Sequence, residues 1–88
     1  MRSAEEKLRD NEIEDGVMII DDKAFRESLI AVTDDNRAVY DFDLMVQEFA
    51  SEHELTEEEA VEYIENNIVR FLPAMGEKAP IVIFQLKR

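Results

Sequence analysis

Leu29-Ile30-Ala31-Val32-Thr33-Asp34-Asp35-Asn36-Arg37-Ala38-Val39-Tyr40-Asp41-Phe42-Asp43 is the stretch whose reading decides the fold. Two runs of strand-forming residues flank a polar trio. Asx side chains bond their own backbone and tolerate positive φ, so Asp34-Asp35-Asn36 reads as a turn. Strands over 28–33 and 37–41 then form a hairpin. The second strand runs straight into Asp41 and Asp43, each suited to cap a helix.

Downstream, Phe42, Met45, Val46, Phe49, Ala50 and His53 fall at helical spacing and define one apolar stripe. Leu55-Thr56 restarts the chain. Thr56 and Glu59 have the spacing of a capping box, and Leu55 and Ala60 that of a hydrophobic staple. The spacing of Ala60, Val61, Ile64, Ile68, Phe71 and Leu72 predicts a second helix from Glu57 to Leu72. Pro73 ends it, because proline lacks an N–H and its predecessor avoids helical geometry. Met75-Gly76 makes the exit turn, and Ile81 to Leu86 reads as a closing strand with Pro80 at its start.

Upstream the signals are weaker. Ser3 and Glu6 have capping-box spacing, Ala4, Leu8 and Ile13 give a thin apolar side, and Asp15-Gly16 marks a turn. Residues 1–16 are therefore expected to be an arm or short helix, and 17–88 a single domain. Val17 to Ile20 is too short to assign to strand or helix. Asp22 suits a cap for one turn through Phe25 and Ser28. The expected class is α+β: a ββααβ core, with two helices on one face of a short antiparallel or mixed sheet.

Composition bounds the function. With 45% hydrophobic residues the chain is too apolar to stay disordered. It has no cysteine, which excludes a disulfide scaffold, a thiolate zinc site and a cysteine nucleophile. Its apolar runs are short and its first residues are charged, so neither a membrane span nor a signal peptide is expected, and the expected compartment is the cytoplasm. The net charge is −12. Residues 38–69 concentrate it, with acids at 41, 43, 48, 52, 54, 57, 58, 59, 62 and 65 and no lysine or arginine. Such a field repels nucleic acid and anionic membrane and attracts basic protein surfaces.

Three stretches carry a family resemblance: Asn36-Arg37-Ala38-Val39-Tyr40-Asp41-Phe42-Asp43, Glu58-Glu59-Ala60-Val61-Glu62-Tyr63-Ile64-Glu65-Asn66-Asn67, and Arg70-Phe71-Leu72-Pro73-Ala74-Met75-Gly76-Glu77-Lys78-Ala79-Pro80-Ile81-Val82. The chain over 24–86 resembles a group of small acidic bacteriophage and prophage proteins of uncharacterised function. Their pattern is GRxVYDYD, then EEAxEYIEYN, then RALPYMGEKAPII. Asn36 stands where the group has glycine, Asn66 where it has an aromatic, and Phe71 and Ala74 where it has alanine and tyrosine. The resemblance implies a shared fold and a phage setting, hence a host cytoplasm. It implies no activity.

Residues able to carry chemistry are few. His53, the single histidine, ends an apolar stripe between two glutamates and suits a helix C-terminus. No glycine-framed serine occurs, and two glycines cannot build a phosphate loop. The paired aspartates at 21–22, 34–35 and 41/43 lack calcium-loop spacing and have capping or turn roles. No catalytic residue, metal site or cofactor is therefore expected, and the protein is read as a non-enzyme.

Five glutamates form the candidate partner-binding set. Glu58, Glu62 and Glu65 lie roughly 5–6 Å apart along one helix side, on the order of the spacing of phosphates along a nucleic-acid strand. Glu48 and Glu52 repeat the spacing on the preceding helix. Like charges at such spacing weaken a helix. The functional expectation is an inhibitor of a host nucleic-acid-handling defence system, a CRISPR effector or restriction enzyme, that mimics nucleic acid. The alternative is a self-associating accessory subunit, paired through the hairpin edge or through Tyr40, Tyr63 and Phe84. Thr56, Asn67, Arg70, Pro73 and Gly76 are expected to be structural. The Asn67 amide would organise the Arg70–Glu77 turn, with Arg70, Glu77 and Lys78 as a surface network.

Overall fold

Asn36 takes the left-handed conformation, with φ 64°, and the chain reverses around it. Its N–H donates to the Thr33 carbonyl at 3.0 Å, while the Thr33 N–H donates to the Arg37 carbonyl at 2.9 Å. The Thr33 hydroxyl completes the turn, hydrogen-bonding the Asp35 carboxylate and accepting the Arg37 N–H at 3.0 Å. The structure, a computed structural model, describes residues 4–11, 17–20 and 24–86. The Ser3, Asp15-Gly16 and Asp22 expectations lie outside them.

The hairpin pairs β1 (Leu29–Val32) with β2 (Ala38–Asp41) antiparallel. Leu29 faces Tyr40 but Ala31 faces Val39, so Ile30 is an extra residue that bulges the edge strand. Helix α1 covers Ala4–Asp10. Met18 makes one isolated parallel bridge to Arg37, so 17–20 is neither a regular strand nor a helix end.

At Asp41 strand becomes helix. Asp41 ends β2 and caps α2 (Phe42–His53), its carboxylate accepting the Leu44 N–H at 3.2 Å. Asp43 is exposed in the first turn, where a negative charge suits the dipole. Glu54 closes α2 in a left-handed conformation, and α3 (Glu57–Asn67) begins at Thr56 with the complete capping box.

The second helix is shorter than its periodicity predicts. After Asn67 the chain tightens into a 3-10 segment, Val69–Met75, with Pro73 inside it. In an α-helix the Pro73 ring would meet the carbonyl four residues back, that of Val69. The α-helix gives way there, and the apolar spacing continues through a different helix type. Gly76 then exits at φ 96°, ψ −167°, a backbone geometry essentially confined to glycine.

Strand β3 (Ile81–Ile83) pairs with β2 in parallel, giving a mixed sheet of order β1-β2-β3. Parallel neighbours need a long crossover, and α2 and α3 supply it. The strand is shorter than expected: Leu86 is 96% exposed and beyond any pairing. Ala38 and Tyr40 of β2 belong to the same buried cluster as Met45, Val46 and Phe49 of α2 and Ala60 and Ile64 of α3. The α+β core is thus ββααβ, as the sequence pattern predicts. Among the described residues no helix is long and apolar enough to cross a membrane.

Candidate partner-binding surface

Glu48 is where the expected acidic band breaks. Its carboxylate accepts three consecutive backbone N–H groups, from Arg26 at 3.2 Å, Glu27 at 2.9 Å and Ser28 at 2.7 Å. Residues 26–28 lie in no helix or strand, so these donors need an acceptor from elsewhere. Glu48, half-buried on α2, supplies it and is committed to this clamp rather than to the outward surface. The sequence carries no local signal for this pairing, because donors and acceptor lie about twenty residues apart.

Beside this clamp Tyr40 is fully buried. It cannot serve self-association as expected. Its hydroxyl accepts the Ile20 N–H at 3.1 Å. Burial, with a smaller contribution from the Glu48 charge, pushes the hydroxyl up to about 12, against a lowering influence from Ile20. Phe84 is exposed on one side and packs its ring on Phe42 at 4.7 Å.

The four other glutamates of the set, Glu52, Glu58, Glu62 and Glu65, are exposed. None of them has an ion-pair partner among the described residues, where Lys7 and Glu27 meet at 3.9 Å instead. Glu59, next to Glu58, is committed to the capping box. The Thr56 backbone N–H, then its hydroxyl, hold the Glu59 carboxyl below its usual value.

Asn67 corrects another expectation. It is exposed, and its amide donates to the Tyr63 carbonyl at 3.1 Å, one turn back in its own helix. It does not organise the turn before β3. The last helical turn of α3 points that amide along the helix and out to solvent. Arg37 takes the organising role, its Nε donating to the Ala79 carbonyl at 2.9 Å. Nor do Arg70, Glu77 and Lys78 form a network. Arg70 and Glu77 are exposed without an ion pair among the described residues, and Lys78 donates to the Asp35 carbonyl in the hairpin turn.

Against the acidic side of α3 lies an apolar groove that the sequence reading missed. It has a volume of about 280 Å³, with Ile20, Ile68 and Leu72 below and Tyr63, Phe71 and Met75 exposed above. Phe71 is 56% and Tyr63 43% exposed. Tyr63 stacks on the core residue Phe49 at 4.5 Å, and Phe49 also touches Phe25 and His53. A second depression bounded by Glu59, Glu62 and Asn66 shares Tyr63 and Asn67 with the first. The periodicity assigned Phe71 to the core face. The 3-10 twist after Asn67 turns it outward.

Among the described residues no group of three or more His, Cys, Asp or Glu is placed to hold a metal ion. The chain matches no known protein family, no curated protein and no solved structure.

Proposed function

We propose that the protein works without catalysis, by binding a basic surface of another protein through α3 and the last turn of α2. The observation that carries this reading is the set of exposed, unpaired carboxylates at Glu52, Glu58, Glu62 and Glu65. Like charges four apart on a helix cost a few tenths of a kcal/mol, and among the described residues no base pairs with them. The resemblance to small acidic phage proteins supplies the setting, the host cytoplasm. The concrete form is an inhibitor of a host nuclease, a CRISPR effector or restriction enzyme, whose nucleic-acid groove the acids occupy. Nucleic acid itself and membranes are not partners, since both are anionic.

The test is a titration against such nucleases with Glu58, Glu62 and Glu65 all changed to Gln. Binding should fall, chiefly through slower association, and the wild-type interaction should weaken steeply with salt. DNA or guide RNA should compete. A triple variant that binds as wild type, or a complex that nucleic acid leaves intact, rejects the mimic.

A second reading, self-association, rests on the exposed faces of Ile30 and Phe84 at the two sheet margins. A dimeric mass in moderate salt that an Ile30→Lys change abolishes would favour it.

A further inference from the structure

The Tyr63–Phe71–Met75 groove and the acids beside it are two different features that meet at one place. An apolar groove alone accepts many occupants, and an acidic helix alone is only a solvated face. Here Tyr63 and Asn67 line both depressions, so an occupant lying in the apolar one passes directly along Glu59 and Glu62. We infer that the groove receives a basic amphipathic helix of the partner protein, its apolar anchors against Phe71 and Met75 and its lysines or arginines along α3. The inference rests on reading α3 as a partner-binding face and names the element that binds it.

Charge complementarity selects this occupant. Residues 38–69 carry no lysine or arginine, so an acidic or neutral segment finds no opposite charge along α3. A second copy would bring another net charge of −12 to the same surface. The volume of about 280 Å³ leaves room for a few anchor side chains of the kind an amphipathic helix lays into a groove. The surface is also firm: Tyr63 stacks on Phe49, and Phe49 is buried. A preorganised wall loses little entropy on binding.

The probe is a synthetic peptide of about 15 residues, long enough to hold a helix, with leucines at helical spacing and lysines elsewhere. A peptide of identical composition with dispersed leucines controls for charge alone. Amide chemical shifts of the intact protein should move at Tyr63, Phe71 and Met75 with the patterned peptide. The dispersed peptide should bind about tenfold more weakly or worse, and so should the patterned peptide against Phe71→Ser. Phe71 is 56% exposed and outside the buried core, so serine there should leave the fold intact, which circular dichroism checks. Glu58, Glu62 and Glu65 changed to Gln should weaken binding severalfold at low salt and little at high salt.

Equal binding of the two peptides, or wild-type affinity in Phe71→Ser, overturns the groove even if the acid variant loses binding. Loss in Phe71→Ser while nucleic acid fails to compete for a host nuclease keeps the groove and rejects the mimic. Groove shifts that grow with protein concentration, without peptide, assign it to a second copy and overturn the inference.

Discussion

The Glu48 carboxylate accepts the Ser28 backbone N–H at 2.7 Å, joining the middle of α2 to the residue just before β1. Ser28 in turn accepts the Asp41 N–H on its carbonyl at 2.9 Å, across the open end of the hairpin. One side chain thereby sets the approach of the hairpin to the helix layer.

Glu48→Ala should cost about 1–3 kcal/mol in denaturant unfolding, because three donors lose a charged acceptor. Glu48→Gln keeps one acceptor oxygen and should cost less. Neither change should alter affinity for a basic partner once the protein is folded, unlike the changes at Glu58, Glu62 and Glu65.

Tyr40 predicts a limit at high pH. Its folded value, about 12, lies above the ordinary 10.0. The neutral hydroxyl is the form that folding favours. Its contribution is fully present below pH 10 and is lost as pH rises through about 12. Thermal midpoints measured across that window should fall steeply for wild type and less for Tyr40→Phe. The variant should pay a fixed penalty at neutral pH, about 1 kcal/mol, for the unpaired Ile20 N–H.

Thr56→Ala removes the acceptor for the Glu59 N–H at 3.2 Å. Stability should drop by about 0.5–2 kcal/mol with the fold unchanged, read by denaturant midpoint and circular dichroism. The triple glutamine variant of α3 should unfold at the wild-type midpoint or slightly above it, since it relieves like-charge repulsion.

Asn36→Ala should destabilise by about 1 kcal/mol, because alanine pays for a left-handed backbone that asparagine tolerates. Asn36→Gly should be neutral or mildly stabilising. Asn67→Leu, by contrast, should shift the unfolding midpoint little, since the amide bonds only within its own helix.

What the sequence made legible was local. The Asp34-Asp35-Asn36 turn, the Asp41 cap and the Thr56–Glu59 box each depend on residues within a few positions, where side-chain chemistry and backbone geometry are coupled. Pro73 was legible as a helix stop, but its effect begins four residues upstream, at Val69. That displacement turned Phe71 from an expected core position into the wall of the groove. The pairing of Glu48 with residues 26–28, and the parallel docking of β3 on β2, depend on tertiary proximity that no short window encodes. Glu48 looks like any other helix glutamate until its neighbours at 26–28 are known.

The parallel pairing of β3 also sets how the molecule opens. Ile81–Ile83 pair along that side of β2, and all three are half-buried, whereas every residue of β2 is buried. Releasing β3 exposes far less apolar surface than global unfolding, so its departure is a sub-global opening available to the molecule. The Gln85 amide on Asp41, at 2.6 Å, and the Arg37–Ala79 bond are the latches that resist it. Amide hydrogens on the β3 side of the sheet should therefore exchange before those between β1 and β2. Each such opening briefly bares a raw strand edge, and with it the route by which crowded copies would begin to aggregate.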